Sequence, residues 1–384
     1  MTSLQEIAQQ RMMYGGTVVV LDVEHGSALG IDGSRWDVTA KFRGVKMLPP
    51  GVHALHYGPS PGRVLLLLQI HPGEVLALRY DADAALVVPL DAMRAAQVTA
   101  QVRRGELDAQ LAVYDADGQR DWPLLLSHVD DAWLKTWGCM LGAGESSMSS
   151  GLDACRLLLP PQAISAELAP ADVCTDAAAR SRWVTAANMD ATLAVDAVLA
   201  SADPSADAST VTWAAVLGHI QAAFLFFLLA ESLTGWECWK AWIDLLCRCR
   251  RAVHTRPTFF LRLLDTLERQ LTEAPKDFFT GDLSRDNFLS HRLAMLMATI
   301  ADRDEADAVA AEPGMPAHLG EDQATLRARA LALQSRLLLR FQWDVSSSSS
   351  HGSATVADMA DDDGDASDDD EGPVVVDLDE PWLM

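Results

Sequence analysis

The chain has 384 residues, 49% hydrophobic and 22% charged, which excludes wholesale disorder and leaves room for two or three domains. Its 54 acidic and 30 basic side chains give a formal charge of −24, and twelve of the acids lie between Ser346 and Met384, where there is no Lys or Arg. The remaining −12 on the body lacks the cations that displace counterions from a polyanion, so direct nucleic-acid binding is not expected.

From Thr17 to Leu90 the signals are short β-rich runs with Gly and Pro punctuation. Thr17 to Val23 is β-branched, and Gly26 and Gly30-Ile-Asp-Gly33 interrupt it. Lys41 to Met47 alternates, which places Lys41 and Arg43 on one strand face and Lys46 on the other. Pro49-Pro50-Gly51 turns the chain into Val52 to Tyr57, and Arg63 to Ile70 with Glu74 to Tyr80 flank a turn at His71-Pro72-Gly73. The expectation is a twisted antiparallel sheet or sandwich, with Trp36 and Phe42 in its core. Asp91 caps a helix predicted to run to Tyr114, and a second runs from Trp122-Pro123 to Trp137.

Gly138 to Ser209 is rich in Gly, Ser, Ala and Asp and reads as a loose linker with one helix between Arg180 and Leu199. From Thr212 to Val345 the apolar period becomes 3.6. The first helix of this part, carrying Val216, Leu217, Ile220, Phe224, Phe227 and Leu228, is apolar nearly all round and belongs at the centre of a bundle. Gly235 stops it. Further helices span Trp236 to Arg251, Pro257 to Leu271, Ser284 to Ile300, and a segment marked by Leu326, Ala330, Leu333, Leu337 and Phe341. Ser346 to Gly372 has too little apolar area to offset chain entropy and should be disordered. It ends in a β-prone hexamer, Pro373 to Leu378. The domain reading is 1–138 β-rich, 139–209 linker, 210–345 helical, 346–372 tether and 373–384 partner-binding strand.

Six cysteines without a Cys-x-x-Cys pair are too sparse for a disulfide scaffold. The polar start shows no secretory signal, and the longest unbroken apolar run, Ala222 to Ala230, is short of a membrane span. A reduced, intracellular, soluble protein is expected. No phosphate loop, dinucleotide fingerprint, zinc-protease or nucleophile-elbow motif occurs, so neither catalysis nor a cofactor or metal is expected. His53 and His56, three apart on a strand, face opposite ways and read as histidines beside a core. Asp282 and Asp286 stand one helical turn apart, an acid-base spacing that at a helix start more often serves capping. Cys247 and Cys249 point about 160° apart on an ideal helix and cannot share a metal. Trp236, Trp239 and Trp242 form a ridge that belongs in a core, with a recognition groove as the sharper reading.

Two features carry binding hypotheses. Arg329, Arg336 and Arg340 share one helical stripe, either solvated or holding the chain's own acidic tail. Val374, Val375, Val376, Asp377 and Leu378 suit β-augmentation of a partner's sheet edge. The 28 residues from Val345 to Pro373 give that strand a reach of roughly 29 Å root-mean-square. The Ser346 to Ser350 run at the start of this tether is a candidate for phosphorylation.

The blocks Gly30 to Trp36, Lys41 to His53, Gln221 to Leu229, Pro275 to Phe279, Asp286 to Leu289, Phe341 to Asp344 and Pro373 to Leu378 resemble, in order, the A1-cistron-splicing factor family, assembly chaperones of the U5 small nuclear ribonucleoprotein. The resemblance implies an α+β protein: an N-terminal antiparallel β-rich domain with flanking helices and a C-terminal all-α, VHS-like helical domain. It implies no catalysis, no nucleic-acid or membrane contact, a monomer when alone, and residence in cytoplasm and nucleus. Its implied partner is the large U5 scaffold protein, held through RNase H-like and Jab/MPN-like domains before the particle's helicase binds, with Pro373 to Leu378 adding a strand. Gly138 to Ser209 departs from the family pattern, and the Ser/Asp-rich insert is longer than the family's. The alternative class is a VHS-like adaptor that binds short peptides in membrane trafficking.

Overall fold

The computed structural model describes residue 11 and residues 13–60, 62–137, 158–161, 163–171, 174–201, 212–274 and 288–346. These belong to one compact unit. Its first half contains strands β1 (Gly16–Leu21), β2 (Ala28–Ile31), β3 (Ser34–Asp37), β4 (Gly44–Leu48), β5 (Gly51–Tyr57), β6 (Val64–Ile70), β7 (Val75–Asp81) and β8 (Leu86–Pro89). Helix α1 (Ala92–Arg103), strand β9 (Leu111–Val113) and helices α2 (Trp122–Leu125) and α3 (Asp131–Trp137) follow. The second half is helical: α4 (Ala177–Met189), α5 (Thr192–Ser201), α6 (Trp213–Ala230), α7 (Leu233–Cys247), α8 (Arg250–Thr255), α9 (Pro257–Glu273), α10 (Phe288–Ala301), α11 (Arg303–Ala310) and α12 (Leu319–Phe341). The α+β class read from the sequence therefore holds.

Two sheets stack. One has the order β8-β7-β1-β4-β9 and the other β3-β2-β5-β6. The second is antiparallel throughout, as expected, but the first is mixed, because β1 pairs with β7 and β4 with β9 in parallel. Period-two alternation sorts the side chains into layers. Val18 and Val20 of β1 face the core between the sheets, whereas Val19 faces the core under α1. On β6, Leu66 and Leu68 face the first sheet while Leu65 and Leu67 join the helical core. Both faces of this strand are covered, which explains its unbroken apolar run Val64-Leu-Leu-Leu-Leu68. The layers run α1, first sheet, second sheet, helices.

Several boundaries differ from the expectation for local reasons. The helix from Asp91 ends at Arg103, because Gly105 takes a left-handed turn (φ +73°) and the chain then forms β9. Trp122 to Trp137 is two helices, the second started by Asp130 Oδ1 accepting from the Trp133 amide at 2.7 Å. Among the described residues of 139–209 the expected single helix is two α-helices parted at Asp190, and Ala194, Val195 and Val198 of α5 enter the helical core. Lys41 and Arg43 precede β4 rather than alternating along it, and Lys46 pairs with Asp108 at 2.9 Å.

Gly235 does not stop α6. Glu231 does, in a left-handed conformation (φ 56°), and Ser232 caps α7 by accepting from the Gly235 amide at 3.1 Å. Gly235 sits in the first turn of α7, where a Cβ would lie 2.9 Å from Ala223 O, Phe226 Cβ and Phe227 N. Glycine is needed there for close helix approach. Gly235→Ala is expected to cost about 1–3 kcal/mol through overpacking, read as a lower urea midpoint with unchanged slope.

Candidate functional site

Asp32, at the β2–β3 turn, is the most chemically loaded position. Its side chain is fully buried and its φ is 56°, a left-handed conformation that Asp tolerates better than most residues. Oδ1 accepts from the Ala54 amide at 2.8 Å, and Oδ2 accepts from Tyr114 Oη and His53 Nδ1, both at 2.6 Å. His53 Nε2–H also donates to Pro49 O at 2.7 Å, and His56 Nε2–H to Asp32 O at 3.0 Å. Both nitrogens of His53 thus face acceptors, which requires imidazolium. Burial opposes that charge, but the hydrogen bond to Asp32, the Asp32 charge and the Pro49 carbonyl together hold the His53 pKa above its ordinary value. Burial pushes His56 the other way, to the neutral form. Burial and the Asp32 charge push the Tyr114 phenol up as well.

The two histidines therefore converge on Asp32 and not on a metal, and no His, Cys, Asp and Glu group among the described residues has metal-holding geometry. A carboxylate with no solvent access and four donors on its side chain and carbonyl cannot meet a substrate; it locks β2 and β3 onto β5 and β9. Gly30 is part of the same lock, since a Cβ there would sit 2.1 Å from the His56 ring. A raised folded pKa means His53 contributes its full stability below about pH 6.5, the unfolded value, and loses it as pH rises through the folded value. The loss of melting temperature on His53→Gln is accordingly expected to be larger at pH 6 than at pH 9. Buried His56, His219 and His254 and half-buried His128, all held toward the neutral form, carry the opposite sign and cancel in this comparison.

The tryptophan ridge is core. Trp239 and Trp242 are fully buried, donating from Nε1 to Gln270 Oε1 and Leu158 O, each at 2.9 Å. Trp236 is half-buried and stacks on Trp239 at 5.2 Å. Cys247 ends α7 and Cys249 precedes α8, so they do not share the helix expected of them. Both thiols are buried; Cys247 is pushed up to about 12 and Cys249 well above its ordinary value, which keeps them unreactive.

The arginine stripe faces α9. Arg329 Nε donates to Asp265 at 2.6 Å, Arg329 and Arg336 both pair with Glu268, and Arg340 Nη2 donates to Thr272 O at 2.7 Å. The cleft beside Glu268 has a volume of about 240 Å³, below the usual range for small-molecule sites, and Arg329 and Arg336 in its lining already face carboxylates. Glu268→Gln should cost about 1–2 kcal/mol in urea unfolding, because two guanidinium groups lose one charge-assisted acceptor. Arg336→Ala, at the exposed end, should cost less than about 1 kcal/mol.

The position of Asp32 within Gly30 to Trp36, the Pro49 carbonyl within Lys41 to His53, and buried Gln221 were not visible as a site in the sequence. Gln221 Oε1 accepts from the His128 amide at 2.8 Å and its Nε2 donates to Ser127 at 3.1 Å, tying α6 to the α2–α3 corner. A polar residue inside an apolar helix was the available signal. Asp282, Asp286, Val374 to Leu378 and Ser347 to Ser350 lie outside the described residues.

Two family models match the chain: the AAR2 N-terminal domain over residues 14–137 and the AAR2 C-terminal repeat region over 170–346. The chain belongs to the AAR2 family. It is 28% identical to the human protein AAR2 homolog over 388 residues, covering 88% of this chain and 92% of the human one. The mouse homolog is 29% identical, with 90% and 95% covered, and the Caenorhabditis elegans homolog 25%, with 88% and 97%. The Asp32 network falls inside the first matched region and the helix enclosing Gln221 inside the second.

Proposed function

We propose that this AAR2-family protein is a non-enzymatic pre-mRNA splicing factor, an assembly chaperone of the U5 small nuclear ribonucleoprotein working in cytoplasm and nucleus. The observation that carries the reading is membership of the AAR2 family in both halves of the chain. It acts by occupancy: the body holds the large U5 scaffold protein at its RNase H-like and Jab/MPN-like domains, and Val374 to Leu378 add a strand to that partner, delaying the helicase. The chemistry inside the body supports a binding role, since its buried carboxylate, thiols and imidazolium are spent on the fold. A strand on a polar tether adds affinity through effective concentration rather than through a larger interface.

Titration calorimetry of the full chain, and of a chain ending at Ser349 that keeps the compact unit, against the two scaffold fragments tests this. The full chain is expected to bridge both fragments, and the shortened chain to bind at least tenfold more weakly. Equal binding by both would remove the strand from the mechanism. No binding by either would reject the U5 reading and favour the peptide-binding adaptor.

A further inference from the structure

The loop between β5 and β6 is fastened to the α6–α7 corner by a small polar cluster that the assembly reading does not use. Ser60 Oγ donates to Glu231 Oε2 at 2.5 Å, and Arg63 Nη1 pairs with Glu231 Oε1 at 3.2 Å. The same Arg63 nitrogen reaches Leu229 O at 3.4 Å, one of the carbonyls left open at the end of α6. Glu231 is the residue held at φ 56° to end that helix. Three side chains thus join a sheet loop to a helix corner more than 160 positions away.

Ser60 is exposed and is followed in sequence by Pro61, with Arg63 three positions on. No other Ser-Pro and no Thr-Pro dipeptide occurs in the 384 residues. Ser-Pro-x-Arg is the spacing that proline-directed kinases of the cyclin-dependent type read: proline after the acceptor and a base three places beyond. The acceptor hydroxyl and the basic determinant are held by one carboxylate.

We propose that Ser60 is a phosphoryl acceptor and that its modification unfastens the β5–β6 loop from the α6–α7 corner. The kinase transfers the γ-phosphoryl group of ATP. A bond forms between Ser60 Oγ and phosphorus, the bond from phosphorus to the bridging oxygen of ADP breaks, and the hydroxyl proton leaves to the kinase's base. The product carries close to two negative charges where a hydroxyl donor had faced Glu231. The hydrogen bond is replaced by like-charge repulsion, and the phosphate competes with Glu231 for Arg63. Losing Arg63 also uncovers Leu229 O. The apolar contacts of Leu65 and Leu67 with the helices do not involve this rim, so the effect is local. Because Glu231 occupies the acceptor and the basic determinant, it also slows its own displacement. This inference is independent of the U5 reading.

The full chain, treated with a purified cyclin-dependent kinase and ATP, is expected to gain one phosphate at Ser60 by peptide mapping. Amide exchange in the segment from Leu229 to Trp236 should then rise about tenfold, the size of a like-charge contact in a partly exposed site. Glu231→Gln should be phosphorylated faster than wild type, and its exchange should no longer respond to the phosphate. Ser60→Ala should take up no phosphate there. Failure to modify Ser60 in the folded chain overturns the proposal, even when a peptide of residues 56–66 is a good substrate. Modification with unchanged exchange at the corner overturns it equally.

Discussion

The structure is organised by the need to enclose α6. With Val216, Leu217, Ile220, Phe224, Leu225 and Phe226 all buried, this helix offers no solvated stripe, and every side of it must meet another apolar surface. By length and composition it is apolar enough to cross a membrane, yet 67% of it is buried within the protein. The enclosure draws in α7, α9 and α5, and it reaches the outer face of the second sheet through Leu65 and Leu67. Sheet and bundle therefore share a core, although the family models match them as separate regions. Close packing exacts its conditions locally. Gly235 admits the first turn of α7 at backbone distance, and Gly218 leaves room for the Trp133 indole, which a Cβ would approach to 2.4 Å.

Inside so apolar a core, buried polar groups must be fully paired or they destabilise it. Gln221, Gln270 and Gln323 each satisfy this by reaching across elements: to the α2–α3 corner, to Trp239 and Ile220 O, and to His254 O. Asp32 does the same for the sheets, at higher electrostatic stakes, because its charge is balanced by an imidazolium that is itself buried. These contacts fix register and orientation more than they add net stability. A strand pairing could slip; an Asp carboxylate that must meet Ala54 N, His53 and Tyr114 together cannot.

Much of the architecture was legible because it follows from periodicity. The inward positions of α9 and α12 alternate at 3.6 residues with charged neighbours, and Phe260, Leu264, Leu333 and Leu337 are buried where that pattern places them. Strands β5, β6 and β7 were bounded by strong turn signals. What failed depended on three-dimensional context. Gly235 looks the same in sequence whether it ends a helix or lets one approach another, and only the backbone of Ala223 and Phe226 decides. The parallel pairing of β1 with β7 leaves no local mark, since pairing partners are chosen over distances that periodicity does not record. The helix expected between Arg180 and Leu199 was read as one because nothing in an Ala-rich stretch marks the break at Asp190, and its second part, α5, packs closely through buried Ala194 and Ala197. The Asp32 network was invisible because its members are scattered at 32, 53, 56 and 114 and each alone has an ordinary explanation.

Three of the blocks that suggested the family are accounted for by the same physics. Gly30 to Trp36 holds the left-handed Asp32 and the glycine that clears His56; Lys41 to His53 holds the Pro49 carbonyl and the imidazolium. Phe341 stacks on Trp343 at 4.9 Å across a left-handed Gln342, which turns the chain back so that Val345 is buried. Family signatures of this kind specify a scaffold. With Asp32, His53 and Tyr114 spent on one another inside the fold, specificity in the proposed binding role has to come from which edges and loops are left accessible. The regulatory role we propose then falls on a rim contact, the single carboxylate that fastens the β5–β6 loop, where the charge of one phosphate opposes Glu231.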